Sequence, residues 1–256
     1  MTDNHNNQAE VSLAEQVAQW YASPVGQLIA EDIRTEYRRQ VEDAFGYHAV
    51  ILGLAGRSLQ LTSQARIGYH VVADEPEGGA LRLRPSALPF RTESLDLVTL
   101  AHVLDVDEAP VAVLREVDRC LRPEGKLVII GFNPISFFSL ARLFPRHCNR
   151  ALRVGHRNLP WRIVEWLQVL GYEVDEVSHL AGSPAVCHAG TWKRMRGLRR
   201  FVRRFMPFLC GVYLIRATRR VSHAQIVRPA FHWRDLLPKK VPVSTQSGAR
   251  RTHVRR

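Results

Sequence analysis

Residues 88–134 read LPFRTESLDLVTLAHVLDVDEAPVAVLREVDRCLRPEGKLVIIGFNP. This stretch decides the fold. A turn over residues 89–93 leads into an apolar run at 95–100. An acidic break at 105–108, an amphipathic segment and a Pro-x-Gly turn follow, and a second apolar run spans 126–132. Two short apolar runs joined by a helix of about a dozen residues make a βαβ unit, whose strands are parallel and buried on both faces. The helix carries its own signals. Asp107 is the expected N-cap, Pro110 falls in the first turn, and Val111, Leu114, Val117, Asp118 and Leu121 keep helical spacing. Arg115, Arg119 and Arg122 lie toward the negative end of the helix dipole, and Pro123 and Gly125 are placed to stop the helix.

Toward the N-terminus, residues 49–54 form a first strand, followed by the turn Gly53-Leu54-Ala55-Gly56-Arg57-Ser58. A glycine-rich turn at the carboxyl end of such a strand lets backbone approach a ligand. A second strand, 67–73, runs into Asp74. Residues 11–22 and 24–45 read as helices broken at Ser23-Pro24, with Leu28, Ile29, Ile33, Tyr37, Val41 and Phe45 on one face. Trp20 and Tyr21 are candidates either for a cover over a cleft or for ordinary packing on the sheet. Toward the C-terminus, residues 135–144 (ISFFSLARLF) read as an apolar helix that either covers a substrate cleft or packs into the core. Residues 160–170 form another helix, anchored by Trp161, Val164, Trp166, Leu167 and Leu170, with Gly171 as its left-handed end. Strands are expected at 172–177 and 211–217.

The segments ALPFRTESLDLV (87–98), AHVL (101–104) and VLREVDRCLRPEGKLVI (113–129) resemble the second half of the class I S-adenosylmethionine (SAM)-dependent methyltransferase domain, in its small-molecule, methyltransferase-11-like branch. NLPWRIVEWLQVLGYEV (158–174) continues the resemblance. It implies an α/β fold with a doubly wound, seven-stranded Rossmann-like sheet, in which the strand at 211–217 is inserted antiparallel. It also implies SAM as cofactor and methyl transfer to an acceptor, expected to be a small molecule. By this resemblance Gly53, Leu54 and Ala55 form the cofactor turn and Asp74 holds the ribose hydroxyls. Ala87 and Leu88 flank the adenine, and His102, with Asp105 after it, faces the acceptor. Local readings compete with two of these roles. Asp74 suits the turn Asp-Glu-Pro-Glu-Gly-Gly in its own right, and a histidine at a strand end often serves as a hydrogen-bonded structural residue.

The cofactor half departs from the family pattern. Ile51 stands where an acidic residue is expected, and Ala55 and Arg57 take the places of the second and third glycines. About a dozen residues separate Asp74 from Leu88, so the helix that the family builds there is expected to be absent or reduced to a turn.

The 256 residues suit one large α/β domain with additions. The reading divides them into a disordered start (1–10), N-terminal helices (11–46), a cofactor-binding half (47–134), a substrate-side half (135–220) and a basic, disordered tail (221–256). No run of apolar residues is long enough to span a membrane. The polar start MTDNHNNQAEV and four scattered cysteines point to a cytoplasmic protein with free thiols and no metal site. The net charge is +12, and half of the 36 basic residues follow Gly190, accompanied by one acidic residue, Asp235. Residues 192–208 (WKRMRGLRRFVRRFMPF) carry an apolar stripe flanked by arginines, a pattern for packing on the sheet, for an anionic membrane surface or for RNA phosphates. Two alternatives therefore stand beside a small-molecule methyltransferase. One is a non-catalytic methyltransferase-like protein that uses its basic C-terminus to bind RNA, membrane or a protein; the other is an RNA methyltransferase.

Overall fold

Parallel strands this apolar must be covered on both faces, and two helical layers do so here. The computed structural model describes residues 16–53, 59–61, 66–73, 83–136, 158–182 and 194–220. These residues belong to a unit that ends at Ser222; the expected tail and the expected disordered start lie outside them. Their sheet has six strands: β1 (Phe45–Leu52), β2 (Arg66–Ala73), β3 (Leu95–Ala101), β4 (Leu121–Phe132), β5 (Tyr172–Leu180) and β6 (Val212–Arg219). The order is β2-β1-β3-β4-β6-β5. β2, β1, β3 and β4 are parallel, and β6 lies antiparallel between β4 and β5.

The described residues form six strands where the sequence leads one to expect seven. No described strand pairs with the outer side of β2, where a seventh would sit. Residues 84–87 instead close a turn through an isolated bridge between Arg84 and Ala87. Chain length supplies the reason. Each parallel crossover needs about a dozen residues or more, and the 21 residues between Ala73 and Leu95 would have to supply two of them as well as a strand.

One face of the sheet is covered by helix α1 (residues 16–22) and α2 (Pro24–Val41). The Ser23 hydroxyl accepts the Gly26 N–H at 3.1 Å, and Pro24 takes the first helical position, as expected. Ile29, Ile33, Tyr37 and Val41 of α2 pack on Ile51, Leu97, Val128 and Ile130. Tyr37 also reaches the middle of the sheet, where its hydroxyl meets Thr99 Oγ1 at 2.8 Å. The helix stops at Val41, short of the expected residue 45. Phe45 opens β1 and is exposed.

The other face is covered by α4 (Pro110–Cys120) and α5 (Pro160–Val169), preceded by a single turn, α3 (Val103–Val106). Val113, Leu114, Val117, Ile163 and Leu167 pack on Val98, Leu100, Leu127 and Ile129. Burying each such side chain stabilises the fold by about 1.5–3 kcal/mol. Gly171 ends α5 at φ +86, as the sequence implied.

Two local expectations are corrected around α4. Asp107 closes α3 and accepts the Ala109 N–H at 2.7 Å, so the N-cap is Ala109, which has no side-chain acceptor. The Pro-x-Gly turn does not separate helix from strand. β4 begins directly at Leu121, which pairs with Leu95, and Lys126 pairs with Leu97, so residues 122–125 form a bulge inside the strand. Glu124 takes a positive φ of 62° within it.

Asp96 ties this bulge to the start of β1. Its Oδ2 accepts the Tyr47 and His48 N–H groups at 2.8 and 3.0 Å, and its Oδ1 accepts Arg122 at 3.0 Å. Burial raises the carboxyl's pKa, but the two N–H groups and the guanidinium outweigh it and hold the group below its ordinary value. A depressed folded pKa means stability that is present above the unfolded value and lost as pH falls through the folded one. Asp96→Asn is therefore expected to unfold more easily than the parent in urea at pH 7, by about 1 kcal/mol. The difference should shrink below about pH 4. A gap that stays constant from pH 7 to acid would exclude this origin.

Candidate functional site

The carboxyl ends of β1 and β3 meet at Gly53. Its φ is +106°, and a Cβ placed on it would stand 2.3 Å from the Ala101 carbonyl oxygen and 2.6 Å from Val103 Cγ2. Strand packing alone thus demands glycine here. Ile51, two residues before, is buried in the core beneath α2. Ala73, the last residue of β2, pairs with Leu52, so β2 ends at the same end of the sheet as Gly53. Leu54, Ala55 and Asp74 themselves lie outside the described residues.

Ala87 and Leu88 sit on the approach to β3. Ala87 is exposed, and its N–H donates to the Arg84 carbonyl at 2.9 Å. Leu88 is buried in the layer that also holds Val50 and Leu52. Its backbone is held from α4: the Leu88 N–H donates to Glu116 Oε1 at 2.9 Å, and Arg119 Nη2 donates to the Leu88 carbonyl at 3.0 Å. The Arg119 guanidinium holds the Glu116 carboxyl below its ordinary pKa, and the Leu88 N–H adds to this against the cost of burial. In this chain the Leu-Arg-Glu-x-x-Arg signature is a grip on the loop before β3.

His102 follows β3 and is fully buried in a left-handed conformation, φ 61°. Its ring stacks on Phe132, with centroids 4.0 Å apart. Both ring nitrogens are engaged. Nδ1 meets Asp105 Oδ2 at 2.9 Å, and Nε2 meets the Tyr21 hydroxyl of α1 at 2.7 Å. Asp105 Oδ2 also accepts the Phe132 N–H at 2.9 Å, while its Oδ1 is buried without a hydrogen bond. Burial, and then the Asp105 charge, raise the Tyr21 phenol far above its ordinary pKa. The phenol therefore stays protonated and donates to Nε2, which leaves Nδ1–H to donate to Asp105. The outer side of Tyr21 borders a cavity of about 420 Å³, lined also by Gln27, Arg34 and Gln60.

The structure brings together Gly53 and His102 of the expected residues, on neighbouring strand ends, and sets Leu88 into the layer below. Nothing in the chain links Tyr21 to His102, which are 81 residues apart, beyond the aromatic pair Trp20-Tyr21 itself. Asn133 was likewise missed. Its amide donates to the Phe208 and Cys210 carbonyls at 2.7 and 3.0 Å and fastens the segment before β6.

This sheet order, with an antiparallel strand between two parallel ones and a glycine turn after β1, defines a methyltransferase-type domain. Residues 56–129 match the family model described as a methyltransferase domain. The chain is 31% identical over 173 residues to the uncharacterized protein YafS of Escherichia coli K12, spanning 67% of this chain and 71% of that one. Among solved structures it is similar to a SAM-dependent methyltransferase from Archaeoglobus fulgidus (TM-score 0.51, 18% identity, 74% of this chain and 94% of that one). A SAM-dependent methyltransferase from Mesorhizobium loti is similar as well (TM-score 0.50, 16% identity, 72% and 96%). The chain belongs to the class I SAM-dependent methyltransferase family.

Removing the phenol oxygen isolates its contribution. Tyr21→Phe leaves Nε2 buried without a donor, and urea unfolding is expected to show a loss of about 1–3 kcal/mol. A loss under about 0.5 kcal/mol, the range of a change remote from any buried contact, would show that the bond is not made in solution.

Proposed function

We propose that the chain transfers a methyl group from SAM to a small-molecule acceptor at the carboxyl ends of β1, β2 and β3. The observation that carries this reading is the register at those ends. It sets Gly53 beside Ala101 and pairs Leu52 with Ala73, so the chain leaves β1 through Gly53 and β2 one residue before Asp74 in sequence, which supports a glycine turn and a carboxylate serving a nucleoside diol. In this reading Gly53, Leu54 and Ala55 pass beneath the cofactor, Asp74 accepts from the ribose hydroxyls, and Ala87 and Leu88 border the adenine. The residues fit the nucleoside half better than the amino-acid half. Ile51 is apolar and buried, so no carboxylate at that position can meet the methionine ammonium.

SAM supplies an already activated methyl group, so the chain's own work is to position the acceptor and manage its proton. The Tyr21 hydroxyl holds the place on His102 Nε2 that an acceptor hydroxyl or amine would take. Once Tyr21 withdraws with α1, Nε2 is free to accept a proton, and Asp105 keeps the ring oriented through Nδ1. Closed over Tyr21, the site holds no acceptor.

A second reading is supported by the same buried Ile51 and sealed His102: a methyltransferase fold that binds without catalysing. Calorimetric titration with SAM separates the two. Gly53 variants are poor controls, since any Cβ there strikes the end of β3. Asp74→Asn is the better one. We expect micromolar binding by the parent, weakened about tenfold or more by Asp74→Asn, the scale of one lost charge-assisted hydrogen bond. No heat at millimolar SAM would remove the enzyme reading.

A further inference from the structure

Helix α6 (Arg196–Phe205) presents an apolar line to solvent. Leu198, Phe201 and Phe205 recur at helical spacing and are exposed, Phe201 by 53% and Phe205 by 66%. The two phenyl rings lie 4.7 Å apart, centroid to centroid. Met206 and Phe208 extend the patch beyond the helix end, both exposed. Among the described side chains of the helix, Val202 is the buried one. An outward apolar line on a helix that is already anchored by another edge does nothing for the stability of this fold in water.

The charge around it is one-sided. Between residues 191 and 220 the sequence has ten basic residues and no acidic one. Those on β6 and directly after it are matched within the domain: Arg216 pairs with Asp43 and Asp175, Arg219 with Asp118 and Glu93, and Arg220 with Glu173 and Glu124. Around α6 the pattern differs. Among the described residues no ion pair engages Arg194, Arg200, Arg203 or Arg204. Arg200 and Arg203 line, with Asp32 and Glu36, a cavity of about 240 Å³. Arg194 lies one turn before Leu198, and Arg204 flanks Phe205.

We propose that α6 is a docking surface for an anionic phospholipid membrane, on which the protein sits peripherally. A helix with phenylalanine and leucine on one side and arginines on the other lies in the headgroup plane, apolar side inward and guanidinium groups at the phosphates. The continuous apolar line favours lipid over RNA, which would call for arginines and aromatics interleaved on a single face. No helix among the described residues is long and apolar enough to cross a membrane, which fits attachment from one side. This inference does not depend on the methyltransferase reading.

Co-sedimentation of the full-length protein with phosphatidylcholine vesicles, with and without phosphatidylglycerol, tests it. The parent is expected to pellet with the anionic vesicles alone. Phe201→Ser/Phe205→Ser keeps every charge and is expected to weaken binding by at least about tenfold, given the apolar area withdrawn. Because both side chains are exposed, the variant should unfold at the parent's temperature, and a matching melt by circular dichroism certifies the comparison; Leu198→Ser serves in its place should the melt shift. Binding left unchanged by these substitutions would assign it to the basic C-terminal residues and overturn the proposal. So would single-stranded RNA binding without vesicle binding, or a dimer in sedimentation that the substitutions dissociate while vesicles are ignored.

Discussion

A buried carboxylate holds the working end of this domain together. Asp105 Oδ2 receives the Phe132 N–H from the end of β4 and Nδ1 of His102 from the end of β3. Through the histidine it also reaches Tyr21 on α1. One oxygen thereby joins two neighbouring strands and the N-terminal cover. Such a group is costly to bury unless its hydrogen bonds are made, so the arrangement tolerates little displacement of any partner. The left-handed backbone of His102 belongs to the same constraint, since it turns the ring back from the strand end toward Asp105.

The consequence for chemistry is that orientation and access are set by different elements. β3 and β4 fix the histidine, whereas α1 supplies the hydroxyl on its Nε2. Cover and sheet meet through the Tyr21 hydroxyl, through the edge of Trp20 against Phe132, and through Val17, Trp20 and Tyr21 buried in the shared core. The grip of Glu116 and Arg119 on Leu88 is a different kind of element. It holds the loop before β3 from the layer opposite α1.

Electrostatics divides the C-terminal quarter in the same local way. The arginines of β6 are answered by carboxylates on β5, α4 and the connections beside them. Those near α6 have no acidic neighbour in sequence, and among the described residues no ion pair engages Arg194, Arg200, Arg203 or Arg204. A single figure for net charge conceals that difference, because pairing depends on which strand lies alongside which.

Much of the fold was legible in the chain itself. The alternation of apolar runs with amphipathic segments between residues 88 and 134 determined a parallel βαβ unit, since period and length leave few other ways to bury those side chains. Ser23-Pro24 and Gly171 marked helix ends because their effects are local. The short link after Asp74 already left little chain for a further strand beside β2, the edge of the described sheet. What only the tertiary structure decided are features set by partners distant in sequence. Asp107 could not be told from Ala109 as the N-cap, nor the Pro-x-Gly turn from a bulge, because both depend on where β3 pairs. Gly53 reads in sequence as a ligand turn, and in the fold it is first a necessity of strand packing. His102 reads as an open acid or base, and Tyr21, 81 residues away, closes it. Sequence carries propensity and spacing; contact between remote side chains exists only once the sheet has assembled.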